Sequence, residues 1–263
     1  MNGFDGTARG TNPVQFVDGK FGKAVSLDGT DQFIEITGNN SKDNLAFAGE
    51  SMSVSVWFKT EAFDKSWQAL VAKGEGNSWR LARNNAGNSM SYAGGLSDVA
   101  GGIEVADNNW HHMVAISDAT GLNFGAAIYI DGVQDGTQIG TAALTKNNKN
   151  VFIGENPDST GRAWTGQIDD VAIWNRVLAE SEVATLYNGG EGKAVGTLPG
   201  VGARTTVTVT RSGNTLTVQW SPAGGTLETS PTLGTTASWT AVGTANPATI
   251  NIGAANAFYR IRQ

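Results

Sequence analysis

Apolar and polar residues alternate with a period of two along most of this chain, which limits it to strands. Met52, Val54, Val56 and Phe58 alternate with Ser53, Ser55, Trp57 and Lys59. Successive side chains on a strand point to opposite faces, so such a run offers one face to a core. Shorter β-rich runs recur at 24–28, 33–37, 69–72, 79–82, 113–117, 126–130, 151–154 and 168–174. Glycine is abundant (35 residues) and proline modest (6), which suits many tight turns between short strands. Asp131-Gly132 follows Ile128-Tyr129-Ile130 and predicts a hairpin, because glycine accepts the positive φ of a type I′ turn. Only one stretch reads as a helix. It runs from Leu178 to Tyr187, with Val183, Leu186 and Tyr187 on one face, and Asn188-Gly189-Gly190 stops it. Many strands and one short helix predict a sandwich with a helical plug.

Composition excludes several chemistries. The net charge is −6 and no Lys/Arg cluster is present, which argues against a nucleic-acid partner. The chain has no cysteine, so disulfides, thiol nucleophiles and cysteine-held metals are excluded. No apolar run is long enough to insert into a membrane. Met1-Asn2-Gly3-Phe4 has neither a basic nor an apolar leader segment, so no signal peptide is legible. The expectation is an internal piece of a longer secreted, multidomain protein.

Four segments give the alternation an identity. They are Phe21-Gly22-Lys23-Ala24-Val25-Ser26-Leu27-Asp28-Gly29, Trp110-His111-His112-Met113-Val114-Ala115, Ile128-Tyr129-Ile130-Asp131-Gly132, and Gly166-Gln167-Ile168-Asp169-Asp170-Val171-Ala172-Ile173-Trp174 with the helix after it. In that order and spacing they resemble the bacterial laminin G-like, or concanavalin A-like, jelly-roll domain, from about Asn2 to Leu186. The resemblance implies an all-β fold: a jelly-roll β-sandwich of two antiparallel sheets over 1–190. Such domains usually begin with a strand upstream of a polar turn. Here the turn-like Asn2–Thr7 stretch comes at once. A Gly-rich linker at 191–203 then leads to a small all-β module at 204–263, whose runs 205–210 and 215–220 flank a turn at Arg211-Ser212-Gly213-Asn214.

This fold hosts lectins, binding modules, adhesion domains and polysaccharide-cleaving enzymes, so function must come from a site. Glycosidases on it use paired carboxylates, and the spacing Glu-x-Asp-x-x-Glu is absent. Asp169 and Asp170 are adjacent, which on a strand sends them to opposite faces. His111 and His112 occupy the family's structural Trp-His-His position. The chain therefore reads as not an enzyme.

Trp57, Trp110 and Trp174 sit at strand positions and read as structural, as do Trp220 and Trp239 in the module. Trp67, Trp79 and Trp164 lie in or after polar loops. A flat indole in a polar setting suits the C–H face of a sugar. Each also has a plain reading, the ring folded over the sandwich. The expectation is that at least one of the three is a carbohydrate platform, with Arg80, Arg83, Tyr92 and Arg162 among the residues supplying polar contacts. For metal, the resemblance implies one structural calcium shared between Asp28 and Asp31 after the second main strand and Asp169 on the closing strand; hard oxygen ligands suit that ion. An ordinary turn explains the same aspartates equally well.

The leading expectation is a non-catalytic carbohydrate-binding module of a larger extracellular bacterial protein, with a polysaccharide or glycan as partner. Two alternatives stand beside it: a cell-surface adhesion or spacer domain with a protein partner, and a divergent glycoside hydrolase or polysaccharide lyase. The extracellular or cell-surface placement follows from the resemblance alone.

Overall fold

The computed structural model describes residues 4–122, 125–195, 206–221, 224–232, 238–253 and 257–262. The chain divides into two compact units, Met1–Thr197 and Leu198–Gln263. The first is built from β1 (Gly6–Arg9), β2 (Gln15–Asp18), β3 (Lys23–Asp28), β4 (Phe33–Ile36), β5 (Met52–Lys59), β6 (Ala69–Ala72) and β7 (Arg80–Arg83). These are followed by β8 (Met90–Ala93), β9 (Val99–Ala100), β10 (Trp110–Ser117), β11 (Ala126–Ile130), β12 (Val133–Gln138), β13 (Val151–Ile153) and β14 (Thr165–Trp174). Two helices interrupt the strands, α1 (Ser41–Asn44) and α2 (Glu180–Tyr187). No helix among the described residues is long and apolar enough to cross a membrane.

The strands form two seven-stranded antiparallel sheets. One runs β1-β4-β13-β6-β7-β8-β9 and the other β12-β11-β10-β5-β14-β3-β2. The alternating residues meet between them as the sequence pattern requires. Met52, Val54, Val56 and Phe58 from β5, with Met113 and Ala115 from β10, join Val71, Leu81, Met90 and Tyr92 in one core. The Asp131-Gly132 hairpin forms as expected. Both residues have positive φ (52° and 77°), and Ile130 pairs directly with Val133. Tyr187 packs so close to Gly132 that a Cβ there would lie 2.9 Å from its ring.

β5 is buried along its other face too. Its Ser53, Ser55 and Trp57 are 1% exposed or less. α2 and the segment before it supply the cover. Leu178 N–H donates to Ser53 Oγ, and Ser53 Oγ donates to the Arg176 carbonyl. The indole of Trp57 packs with the His112 imidazole (4.9 Å) and the Tyr187 ring (6.1 Å), which also contact each other at 6.4 Å. Arg176 grips Glu182 with both terminal nitrogens, and Glu182 also accepts the Ala179 N–H at the helix start. Asn188 closes the helix with φ 47°, a left-handed cap.

The closing strand departs from simple alternation. Its pairing with β5 shifts between Asp169 and Ala172, and Asp170 has φ 47°. This bulge puts Asp170 off the strand pattern, where it accepts the Val195 N–H. Pairing of β14 with β3 stops at Ile168.

The second unit pairs two three-stranded sheets. β15 (Thr206–Ser212), β16 (Thr215–Ser221) and β19 (Ala248–Asn251) form one, and β18 (Thr240–Gly243), β17 (Thr226–Ser230) and β20 (Phe258–Arg262) the other. Val218, Trp220, Leu227, Ala248 and Ile250 make its core. Trp239 is not in that core; it is half-buried, with the Arg260 guanidinium 4.3 Å from its ring.

The two histidines on β10 titrate in opposite senses. Burial pushes the His112 imidazole down to about 4, so it stays neutral beside Ser55 Oγ at 2.8 Å. Burial also works against charge on His111, but hydrogen bonds to Asp131 and Asp107 outweigh it and raise its pKa. The unfolded chain therefore binds more protons at position 112 below pH 6.5, and fewer at position 111 above it. Stability should peak near the ordinary histidine value, falling towards acid through His112 and towards base through His111. His112→Gln should flatten the slope between about pH 6.5 and 4.5, a window worth about 3 kcal/mol at most. Urea unfolding as a function of pH checks this; a variant that keeps the wild-type acid slope contradicts it.

Candidate functional site

The strand trio β6, β7 and β8 is buried on both faces. Val71, Leu81 and Tyr92 point into the core. The register pairs Ala69 with Ala82, Ala72 with Arg80, Arg80 with Ala93, and Ala82 with Ser91. The outer face is thus paved with alanine and serine around one arginine. Residues this small leave room for something above them.

Arg80 rises from that floor with its side chain only 8% exposed. Its guanidinium reaches Glu75 through Nη1 (2.8 Å) and Asp98 through Nη2 (2.6 Å), and Nε is buried without a partner. The half-buried indole of Trp67 lies against it, 5.2 Å from the guanidinium carbon to the ring centre. Trp67 leads into β6 with φ 58°, a left-handed conformation rare for a bulky residue, and its N–H donates to the Asn85 carbonyl.

The loop before β14 completes the cluster. Glu155 is 4% exposed and accepts the backbone N–H groups of Asn156, Gly161 and Arg162. This carboxylate winds the loop around itself and presents two side chains to Glu75: Arg162 Nη1 at 2.5 Å and Asn156 Nδ2 at 2.6 Å. Trp67, Glu75, Arg80, Asp98, Asn156 and Arg162 therefore form one connected group at the outer face of the sheet.

Of the carbohydrate-binding residues expected from sequence, the structure brings Trp67, Arg80 and Arg162 to this group. The other four lie elsewhere. Trp79 is wholly buried and donates its indole N–H to the Leu45 carbonyl. Trp164 is wholly buried, edge-on to Phe58 and Phe63. Tyr92 is a core residue bonded to Ser117 Oγ, with burial pushing its phenol pKa up. None of these three rings offers a face to a ligand. Arg83 is three residues from Arg80 and so on the opposite side of the strand. Its guanidinium is consumed by the carbonyls of Lys65, Ala86 and Gly87 and rests on Phe63. Glu75 and Asp98 are members of the group that the sequence does not single out. The signal for Arg80 was present in Trp79-Arg80-Leu81-Ala82, where inward Trp79 and Leu81 force Arg80 outward.

The three aspartates expected at a calcium are not gathered into one ligand set. Asp28 pairs across the strands with Thr165, four residues from Asp169 on β14, a separation of roughly 13 Å along a strand. Asp169 accepts the Phe21 and Asp170 N–H groups, tying the β2–β3 turn to the closing strand. Asp28 accepts the Thr30 N–H, an ordinary turn bond. Asp31 holds Thr11 through Oδ2, while its Oδ1 is buried without a partner. Among the described residues, no three His, Cys, Asp or Glu side chains converge on a point that would hold a metal.

Residues 28–184 match the family model of the concanavalin A-like lectin/glucanases superfamily, of laminin G type. No curated protein matches the sequence. The fold is similar to domain 4 of AbnA, a GH43 extracellular arabinanase from Geobacillus stearothermophilus, solved in complex with arabinotriose. That likeness has 21% identity and a TM-score of 0.54, over 72% of this chain and 88% of that one. It is also similar to the binding domain of Paraclostridial mosquitocidal protein 1 (18% identity, TM-score 0.56, 70% of this chain and 47% of that one). The botulinum neurotoxin serotype G binding domain is comparable (15% identity, TM-score 0.51, 70% and 46%). The chain spans just under half the length of these two toxin domains. At such identities the likeness is one of fold.

Two outcomes follow from these placements. Trp79→Ala and Trp164→Ala should each cost about 3–5 kcal/mol of stability, as large core truncations do, whereas Trp67→Ala should cost about 1 kcal/mol. Equal losses at all three positions in denaturant unfolding would contradict the division into core and surface. Glu155→Ala should cost about 2–4 kcal/mol by stranding buried N–H donors. A loss below 1 kcal/mol would show that the loop does not depend on that carboxylate.

Proposed function

This chain belongs to the concanavalin A-like lectin/glucanases superfamily, and on that footing we propose that its first unit is a non-catalytic carbohydrate-binding module. The glycan lies on the outer face of β6, β7 and β8. Trp67 receives the apolar face of a sugar ring, while Arg80, Asp98 and Arg162 bond its hydroxyls. The observation that carries this reading is a half-buried indole lying against Arg80, whose guanidinium bonds Asp98, a side chain 33% exposed, over a floor of alanines.

A binding role also fits the state of Glu75. Both oxygens of Glu75 are engaged, by Arg80 on one side and by Arg162 and Asn156 on the other. A carboxylate fully occupied by donors is poorly placed to move a proton to a glycosidic oxygen. Partner, extracellular placement and membership of a larger protein follow from this reading. The complex of the AbnA domain with arabinotriose makes arabino-oligosaccharides a rational first probe. A structural cation, in the same reading, would draw on Asp31, whose Oδ1 is buried without a partner.

Thermal unfolding across a polysaccharide panel, with calcium or chelator, tests the proposal. A glycan that binds only the folded state should raise the melting temperature, and Trp67→Ala should abolish that rise. A panel without any shift, combined with a loss of stability on chelation, would sink the carbohydrate reading and favour a calcium-stabilised adhesion or spacer domain.

A further inference from the structure

The charges around Trp67 say what kind of sugar this face accepts, and the inference rests on the carbohydrate reading above. Arg80 lies between Glu75 and Asp98, and Arg162 lies on Glu75, so two guanidinium groups meet two carboxylates. Next to them Lys149 faces Asp158 at 3.5 Å. Every cation in this set already has its anion. The polar capacity left over is neutral in character. Each Arg80 Nη bonds one carboxylate and carries a second N–H, and Asp98 is bonded through Oδ2, on a side chain 33% exposed.

We infer that the site selects uncharged sugars with neighbouring free hydroxyls, and discriminates against uronates and sulfated glycans. One hydroxyl accepts from a second Nη–H of Arg80 while its neighbour donates to Asp98, with the ring over Trp67. An incoming carboxylate or sulfate would have to displace Glu75 or Asp98 from Arg80 or lie beside them as a like charge, and either arrangement opposes binding. Charge balance here is thus a specificity device: the arginines are presented as directional donors with their attraction for anions already spent.

The experiment compares neutral arabino-, xylo- and gluco-oligosaccharides with polygalacturonate, alginate and dextran sulfate by calorimetric titration of the full chain at 50 and 500 mM NaCl. The expected result is binding of a neutral glycan that changes less than about twofold with salt, since no net charge is neutralised, and at least about tenfold weaker binding of the acidic polymers. Asp98→Asn keeps the shape and releases a positive charge. It should weaken the neutral glycan by about three- to tenfold and create acidic-polymer binding that falls steeply with salt. Arg162→Gln, checked for folding by its melting temperature, should not gain acidic binding, because it removes a cation. Tight, salt-sensitive binding of a uronate or sulfated polymer by the wild type would overturn this inference and leave the carbohydrate reading standing. Binding of none of the glycans would overturn both.

Discussion

A sheet buried on both faces needs two covers, and that requirement organises the first unit. The core between the sheets supplies one cover for each. The second differs from sheet to sheet. Over β5 and β10 it is α2, held by the Arg176–Glu182 fork and by Tyr187 stacked on Trp57. Over β6, β7 and β8 it is a polar roof, made of Trp67, Arg80 and the loop wound on Glu155. An apolar plug closes its face against water. A polar roof over alanines leaves donors and acceptors in a shallow, partly dry place, where each bond to a ligand counts for more.

The same logic ties both histidines into the fold. His112 is neutral beneath α2, stacked on Trp57, and His111 is clamped between Asp131 and Asp107 at the mouth of a hairpin. Both hold the sandwich end together. The Asp131-Gly132 turn serves the fold three times, through its backbone shape, its carboxylate on His111, and the space Gly132 leaves for Tyr187.

The fold was legible in this sequence because its signals are local. Period-two runs set the strands, Asp-Gly set a hairpin, and Asn-Gly-Gly ended the helix where Asn188 turns left-handed. The site was legible only in part. Alternation alone sends Trp79 inward with Leu81, yet the polar residues preceding it suggested a loop platform. Trp164 gave no local sign of its burial, which comes from Phe58 and Phe63, about a hundred residues away in sequence. Which of Arg80 and Arg83 faces the floor depends on strand parity, and which aspartates meet depends on register. Register places Asp28 opposite Thr165, away from Asp169. The cluster around Glu75 joins segments some eighty residues apart, and nothing in either segment announces the other.

The central claim is that a glycan binds on the roof of β6–β8 through Trp67 and Arg80. Side-chain N–H resonances of tryptophan and arginine report this directly. A ¹⁵N-labelled chain titrated with arabino-oligosaccharide, and with the best neutral glycan of the panel, should show the Trp67 indole and the Arg80 Nε–H signals moving together. Those of Trp79 and Trp164 should stay still. Shifts confined to another face, with Trp67 and Arg80 unmoved, would contradict the account.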